Sequence, residues 1–232
     1  MGVRYNPGIV TEGLVLCLDA ADRASYSGSI EGGTLATWTD LGGNGLDGTI
    51  SGAVFNSGSG GNIVFDGTND YVSLAAIGSN YYFGRTDFSV EVWVKTTSDG
   101  RNIALHRNGA VTRYTLLEID SNAARLLMWK HPASYSIGAG TSTINDDKWH
   151  HIVGTRIESV PAVYIYVDGA LEGSGADNAL DAPESSNWYL ASQVGGDKFM
   201  DGSISSFKIY NKALTSKEVL QNYNAQRGRF GV

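Results

Sequence analysis

The sequence contains a single cysteine, Cys17, so no disulfide can form within the chain. Cys17 lies inside the apolar stretch GLVLCLDA, and we predict that it is a buried thiol in a β-strand. No apolar run approaches the roughly 20 residues that a bilayer-spanning helix needs. The opening MGVRYNPGIVTEG lacks the apolar core of a secretion signal. We therefore expect a fold without disulfides, without membrane insertion and without a signal peptide.

Positive charge is also scarce. The 17 Lys and Arg residues stand against 24 Asp and Glu residues, which gives a net charge of −7. No cluster of Lys and Arg occurs in the sequence. Because a nucleic-acid surface needs a basic footprint, we expect no nucleic-acid partner.

The motifs of several common catalytic and metal sites are missing from the sequence. There is no GxSxG nucleophile elbow, no HExxH and no paired-cysteine motif. The glycine-rich stretches do not follow the strand–loop–helix order of a phosphate-binding loop. From these absences we predict no catalytic residue and no metal ligand.

What the sequence does contain is glycine and short apolar stretches. The 30 glycines are spread along the chain, which indicates many tight turns. Stretches rich in Val, Ile, Tyr and Phe recur between turn residues, and no βαβ spacing connects them. This pattern predicts an all-β sandwich or jelly roll. The predicted strands are 13–20, 62–67, 71–75, 88–96, 102–107, 114–120, 125–131, 149–157, 162–169, 188–193 and 203–211.

Two stretches carry more specific strand signals. Asp168-Gly169 lies between apolar residues and predicts a hairpin, because a type I′ turn requires positive φ. In 88–96 one face of the predicted strand is apolar: Phe88, Val90, Val92 and Val94. The other face, which we expect to be more exposed, carries Ser89, Glu91, Trp93 and Lys95.

We interpret residues 1–232 as a single domain. Its parts are an N-terminal arm (1–12), a loop-rich insertion (22–61), a helix (215–227) and a tail (228–232). In the insertion, we expect Trp38 and Leu41 to anchor long surface loops to the core.

The helix at 215–227 has clear boundary signals. Thr215 can cap it, Glu218 completes a capping box, and Gly228 ends it. Three side chains are expected to face the sheet: Val219, Leu220 and Tyr223.

Four segments in order resemble one known family. They are WTDLGGNGLDGTI (38–50), NIVFDGTNDYVSL (62–74), the group FSVEVWVKT, KWHHIVGTR and VYIYVDGALEG, and DGSISSFKIYNKALTSKEVLQNYNA (201–225). Together they resemble the laminin-G-like, concanavalin A-like lectin/glucanase superfamily over nearly the whole chain. The resemblance implies a jelly-roll sandwich of two antiparallel sheets with the termini close together, and the pattern at 215–227 adds one short C-terminal helix. It leaves the function open, because this superfamily includes lectins, glycan-binding modules, adhesion domains and glycoside hydrolases.

Two terminal segments show a narrower resemblance. YNPGIVTEGLVLCLDAADRASY and YNAQRGRFGV are similar to single-domain members among the virion proteins of tailed phages, especially marine phages. This resemblance implies a non-catalytic virion protein, either a tail fibre or a capsid decoration, that is assembled in the host cytoplasm. Its partners would be other virion proteins, host surface glycans and further copies of itself in a homo-oligomer. A carbohydrate-binding module and a glycoside hydrolase or lyase remain the alternatives.

One stretch partly matches the carboxylate pattern ExDxE or ExDxxE of hydrolases in this superfamily. In Glu118-Ile-Asp120-Ser-Asn122-Ala123 the second Glu is replaced by Asn122 or Ala123, depending on the spacing. Neither side chain can protonate a leaving group. We interpret the stretch as a strand that ends in an Asp-Ser-Asn turn.

The resemblance leaves calcium open as a cofactor, since many superfamily members carry an ion that orders loops. Asp and Asn also favour turns for backbone reasons alone, and no residue can be assigned as a ligand. The residues at predicted turns are Asp66, Asn69, Asp70, Asp99, Asp120, Asn122, Asp197 and Asp201.

Sugar binding would use aromatic side chains with polar neighbours, and two stretches offer them. LLMWKHPASYS and SSNWYLASQ supply the candidate glycan contacts Trp129, His131, Tyr135, Trp188 and Tyr189. The alternative is that these aromatic side chains fill the core or a subunit interface.

The stretch KWHHIVG places two adjacent histidines, His150 and His151, behind Asp146 and Asp147. Adjacent residues of a strand point to opposite faces, so the two rings cannot bind one ion without a bulge. We therefore predict a strand entry, with one histidine packed under the sheet and the other hydrogen-bonded near the preceding turn.

Overall fold

The computed structural model describes residues 8–26, 37–74, 84–107, 113–132, 134–178, 187–193 and 198–232. These residues form sixteen strands, one α-helix and two short 3₁₀ helices. The strands are β1 Leu14–Asp19, β2 Thr37–Trp38, β3 Gly48–Ser51, β4 Val54–Asn56, β5 Asn62–Asp66, β6 Tyr71–Leu74, β7 Phe88–Thr96, β8 Arg101–Arg107, β9 Arg113–Asp120, β10 Ala123–Lys130, β11 Ser134–Ala139, β12 Trp149–Ile157, β13 Ala162–Val167, β14 Ala170–Ala176, β15 Trp188–Leu190 and β16 Asp201–Tyr210. The helices are α1 Ser216–Gln226 and the 3₁₀ turns Gly58–Gly60 and Arg227–Arg229.

The strands form two sheets with antiparallel pairing throughout the described ladders. The first sheet has the order β14-β13-β12-β7-β16-β5-β4, and β1 also pairs with β16. The second has the order β11-β10-β9-β8-β15-β6-β3-β2. The predicted jelly-roll sandwich of two antiparallel sheets with one short C-terminal helix is confirmed.

The core lies between the sheets, where the alternate side chains of each strand meet. The apolar face predicted for β7 points into this core, and its four side chains are buried. Cys17 is buried in β1, as predicted. Burial raises the pKa of its thiol to about 11, because a thiolate would lose its hydration there.

The opposite face of β7 differs from the prediction. Ser89, Glu91 and Trp93 were expected to be more exposed, but all three are fully buried. The physical reason is that α1 and the residues after it cover this face of the first sheet. The ring of Phe230 stacks on Trp93 at 4.1 Å between centroids, and Tyr223 of α1 stacks on it at 5.8 Å.

The helix has the predicted N-terminal cap. The Thr215 hydroxyl accepts the Glu218 N–H, and the Glu218 carboxylate accepts the Thr215 N–H at 2.8 Å. The α-helix ends at Gln226, one residue before the predicted end at 227. A 3₁₀ turn, Arg227–Arg229, follows and extends two residues beyond that predicted end. Leu220 is 47% exposed and does not face the sheet, unlike the buried Val219.

Three short strands, β2, β3 and β4, lie within residues 22–61, where the sequence suggested only loops. They are two to four residues long, too short for a visible alternation of side chains. Trp38 is fully buried and anchors this region as expected, whereas Leu41 is 37% exposed.

The two sheets approach each other closely where their edge strands β11 and β14 meet. A Cβ built on Gly173 would lie 1.8 Å from the carbonyl oxygen of Ala139, and one on Gly175 would lie 1.7 Å from that of Ile137. Glycine is therefore required at both positions for the two backbones to pack together. We call this contact the glycine seam; it covers one side of each edge strand, as natural sheets commonly do.

Candidate functional site

The two histidines of KWHHIVG lie on opposite faces of β12, as predicted. His150 sits near the preceding turn, with Nδ1 2.9 Å from Asp168 Oδ2 and Nε2 3.1 Å from Asp146 Oδ1. Although burial opposes the charged ring, the carboxylates of Asp168 and Asp146 raise the pKa of His150 above its usual value. His151 is fully buried under α1, within ring-contact distance of Trp93. The predicted strand entry is confirmed.

Beside His151 lies a buried polar cluster that links the first sheet to α1. The Lys208 ammonium lies 2.9 Å from Glu91 Oε1 and also donates to Gln226 at 2.9 Å. Asn222 donates to Glu91 Oε2 at 2.6 Å and accepts the Val10 N–H at 2.7 Å. Burial alone would raise the pKa of Glu91, but Lys208 holds it well below its usual range. Because its members satisfy one another and a helix covers them, the cluster fastens α1 and offers no access to a ligand.

Two of the aspartates considered for calcium accept backbone N–H groups. Asp66 Oδ1 accepts the Thr68 N–H at 2.8 Å, and Asp99 Oδ1 accepts the Asn122 N–H at 2.9 Å. Asp197 lies outside the described residues. Within the described ranges, no group of three or more His, Cys, Asp or Glu side chains is arranged to hold a metal ion.

The outer face of the second sheet carries a different kind of surface. Here cross-strand register aligns three leucines in one row, from Leu105 on β8 through Leu116 on β9 to Leu127 on β10. These leucines form an apolar cluster separate from the main core, and Tyr114 packs against it. Although they lie on the outward face of the sheet, the three leucines are only 3–6% exposed.

A pocket of about 250 Å³ opens over these leucines. We call it the outer-face pocket, and the leucine row forms its floor. Polar and charged side chains of β8, β9 and β10 surround the floor, together with Gln193 and Lys198. The full lining is Asn102, Leu105, Arg107, Tyr114, Leu116, Glu118, Arg125, Leu127, Gln193 and Lys198.

Asn102 reaches this pocket because β8 is irregular. The pairing of β8 with β9 shifts between Asn102 and Ala104, so that Ile103 is an extra residue in the ladder. Strict alternation would place Asn102 on the same face as Ala104, which packs in the core. The bulge turns Asn102 outward instead, opposite Glu118 of β9.

The Asn102 side chain is 1% exposed, and neither its Oδ1 nor its Nδ2 has a hydrogen-bond partner in the described part of the chain. Its cross-strand neighbour Glu118 is engaged elsewhere, since Arg125 Nε donates to Glu118 Oε1 at 2.7 Å. The same guanidinium donates to Asp120 at 3.0 Å. Burial of Glu118 outweighs the attraction of Arg125 and raises the pKa of this carboxyl.

The hydrolase-like stretch thus lies partly in the pocket, but its two carboxylates share one arginine. β9 ends at Asp120, and β10 begins at Ala123 after a two-residue turn with positive φ at Ser121 and Asn122. The predicted Asp-Ser-Asn turn is confirmed, and Asn122 donates its backbone N–H to Asp99.

The five predicted glycan contacts do not all reach this surface. Trp129 and its cross-strand partner Tyr135 lie on the outer face, and the Trp129 ring stacks on Tyr114 at 5.1 Å. Tyr135 is 46% exposed, and His131 follows the end of β10 with its ring edge-on to Trp129 at 6.0 Å. They flank the pocket on the β10–β11 side.

Tyr189 and Trp188 lie on opposite faces of β15. Tyr189 pairs across to Leu105 and faces outward, beside the leucine floor. Trp188 is 1% exposed and packs in the core between His106 and Phe207. Because a core side chain cannot touch a ligand, Trp188 is removed from the candidate glycan contacts.

Sequence reasoning missed Asn102 and the leucine floor. A single asparagine at the start of an apolar strand carries no signal, and the bulge that turns it outward has no mark in NIALHR. The leucines could have been recognised, because Leu116 and Leu127 are each directly next to another apolar residue in the sequence. Two-sided apolar strands indicate burial on both faces, and the pairing of these strands places the leucines in one row.

The two packed sheets define a concanavalin A-like jelly-roll domain. The family comparison agrees: a model of the concanavalin A-like lectin/glucanases superfamily matches residues 66–220. The chain belongs to this superfamily. No curated protein matches it.

Several solved structures share the fold. The binding domain of Paraclostridial Mosquitocidal Protein 1 superposes with a TM-score of 0.71 at 17% identity, covering 93% of this chain and 52% of that one. The botulinum neurotoxin serotype D binding domain gives 0.71 at 14% identity, covering 94% and 53%. Domain 4 of AbnA, a GH43 extracellular arabinanase from Geobacillus stearothermophilus in complex with arabinotriose, gives 0.65 at 21% identity, covering 84% and 100%. The chain thus spans about half of the toxin domains and all of the arabinanase domain.

No helix among the described residues has the length and apolar character needed to cross a bilayer.

Proposed function

We propose that this chain is a non-catalytic glycan-binding domain and that a saccharide binds in the outer-face pocket. The observation that carries the proposal is the buried, unpartnered amide of Asn102 in the lining of a ligand-sized depression. Buried polar groups are almost always hydrogen-bonded, so an orphan amide beside a pocket indicates a missing partner.

The leucine floor suits the apolar side of a sugar. A pyranose or furanose ring presents C–H groups on one side and hydroxyls at its edge, and it needs both kinds of contact from its site. The floor supplies an apolar surface, while Asn102, Gln193 and Lys198 supply polar groups around it. Tyr135 and Tyr189 flank the floor on either side and extend the surface for further sugar units.

The shared fold supports this proposal. The arabinanase domain 4 structure, which this chain covers in full, was determined in complex with arabinotriose. The toxin relatives are named as binding domains as well. None of these names describes an isolated catalytic domain.

The absence of catalysis is supported by how the two carboxylates are held. Arg125 bonds to one oxygen of Glu118 and to one oxygen of Asp120, so both carboxylates are held in ion pairs with the same guanidinium. Position 122 carries an amide where an acid would be needed. We expect no product from a broad polysaccharide panel; hydrolysis that is abolished by Glu118→Gln would contradict the non-catalytic proposal.

The binding test is a glycan array followed by NMR titration of the best ligand. We expect amide shifts confined to β8, β9, β10 and the segment near Lys198. The double variant Gln193→Ala/Lys198→Ala should weaken binding at least fivefold, while the matched pair Gln221→Ala/Lys217→Ala on α1 should not. An array without any bound glycan, or shifts confined to the first sheet, would remove the proposal.

A virion location is the finer part of the proposal. It is supported by the two terminal segments that resemble tailed-phage virion proteins. These segments meet on the outer side of the first sheet, where Arg229 bonds to Asp19 at 2.9 Å. A homo-oligomer, host glycans and other virion proteins as partners belong to the same proposal. Protein contacts on that side would leave the pocket open to host glycans. Mass spectrometry of purified particles tests this role, and absence of the protein from every particle would refute it.

A further inference from the structure

The amide of Asn102 restricts which chemical groups can complete the outer-face pocket. Its Oδ1 is an acceptor and its Nδ2 a donor, and the two atoms lie side by side on one carbon. Both lack a partner among the described residues, although the side chain is almost fully buried. Leaving both unsatisfied destabilises the free protein, so a partner that satisfies both atoms at once would be selected strongly.

The protein itself cannot supply that partner from the neighbouring strand. Glu118 is the residue paired with Asn102 across the ladder, and Arg125 fixes its carboxylate. On the other side along the chain, Ile103 and Ala104 point into the core. The bulge therefore sets the position of the amide in the lining of the pocket, beside a space that the described residues leave unfilled.

The chemistry of the partner follows from this arrangement. An ionised carboxylate offers only acceptors and would leave Oδ1 facing a negative charge. An ammonium offers only donors and would leave Nδ2 unpaired. Two hydroxyls on adjacent carbons offer one donor and one acceptor at a spacing that matches a side-chain amide. The C–H groups beside such a pair would then rest on Leu105 and Leu116.

We propose that Asn102 is the specificity-determining residue of the outer-face pocket and that it binds a pair of adjacent hydroxyl groups on the saccharide. This inference rests on the proposed glycan-binding function and makes it narrower. Sugars that lack either hydroxyl of the pair are rejected, because one atom of the buried amide then stays unpaired.

The first test uses methyl glycosides of glucose, galactose, mannose and arabinose, with the monodeoxy derivatives of whichever binds most tightly. Affinities are measured by isothermal titration calorimetry. We expect removal of either hydroxyl of one adjacent pair to weaken binding at least thirtyfold in the native protein. In Asn102→Leu, the parent glycoside and these two derivatives should bind equally weakly. If the derivatives bind the native protein as tightly as the parent, the inference is wrong.

The second test separates a binding role from a structural one. Leucine has nearly the shape of asparagine and needs no hydrogen bond, so Asn102→Leu should unfold at the same temperature as the native protein or higher. The matched control is Asn222→Leu, because Asn222 is also buried but bonds to Glu91, Tyr210 and Val10. That variant should melt several degrees lower. A comparable loss of stability in Asn102→Leu would show that the amide has a structural partner and would overturn the inference.

The outcomes distinguish the two proposals. If no glycoside and no arrayed glycan binds, the proposed function fails and this inference fails with it. If a saccharide binds in the pocket with unchanged affinity for Asn102→Leu, the glycan-binding function stands and only the role of Asn102 is refuted.

Discussion

Replacing Gly175 with alanine should open the glycine seam between β11 and β14. The new Cβ would lie 1.7 Å from the Ile137 carbonyl oxygen, and no flexible side-chain end is involved that could move aside. Carbon and oxygen atoms in close contact sit about 3.3 Å apart. The two backbones would therefore have to separate by about 1.6 Å, and the side chains packed behind both strands would lose their contacts.

The expected loss of unfolding free energy follows from what overpacking costs elsewhere. Overpacking in a well-packed region typically costs about 1–3 kcal/mol, and this contact belongs at the upper end because both atoms are held by backbone. A loss of about 3 kcal/mol corresponds to a fall of roughly 6–12 °C in melting temperature for a chain of this size. Thermal unfolding followed by circular dichroism at 218 nm measures it, and urea denaturation gives the free energy directly.

The matched control is Gly228→Ala. No atom lies within 4 Å of a Cβ built there, and its φ is not in the left-handed region. Its stability should stay within about 0.5 kcal/mol of the native protein. If Gly175→Ala is as stable as this control, the close approach of β11 and β14 is refuted.

Three further predictions concern the first sheet. The flanking aspartates raise the pKa of His150 in the folded chain, so the contribution of its charged ring to stability should be complete below pH 6.5 and lost as the pH rises through the folded pKa. Urea denaturation of the native protein and of His150→Gln at pH 5.5, 7 and 9 should show a difference in unfolding free energy that shrinks as the pH rises. A constant difference would contradict this. Lys208→Met should cost about 3–5 kcal/mol because the buried Glu91 carboxyl loses the cation that compensates its charge. Adding Glu91→Gln should restore part of that loss, and a double variant less stable than the single one would oppose this account. Because its ring is only partly buried, Phe230→Ala should cost about 1–2 kcal/mol. The change should also shift the fluorescence of the newly exposed Trp93 to longer wavelength, whereas an unchanged spectrum would mean that the tail does not cover that ring.

The strands with strict alternation were predictable from the sequence. In β7 every second side chain is apolar, and its inward face is the one that the pattern indicates. The cap of α1 was equally readable, because it depends on two residues three positions apart. The family resemblance then supplied the arrangement of these elements into two sheets.

The remainder depended on contacts between distant parts of the chain. Glu91 and Trp93 look like surface residues within β7, and only a helix more than 120 positions later buries them. In the sequence Trp188 resembles an aromatic residue that stacks on a sugar ring. The pairing of β15 between β6 and β8 places it in the core instead. Asn102 faces the pocket through a bulge that local sequence does not encode. Of the candidate site, the sequence therefore predicted only the flanking aromatic residues Trp129, Tyr135 and Tyr189.

The outer-face pocket is built on strands, and this has a consequence for how its selectivity can change. Along β9 and β10 the residues that line the pocket alternate with residues that pack the core of the sandwich. Each side chain therefore contributes either to the pocket or to the core, but not to both. Leu116 can be substituted while its core neighbour Leu117 is kept. Leu127 can likewise be substituted while the core residues on either side of it, Leu126 and Met128, are kept. A library that randomises only the outward positions should keep most of its members folded. Recognition could then diversify among descendants of this chain at little risk to the scaffold that carries it.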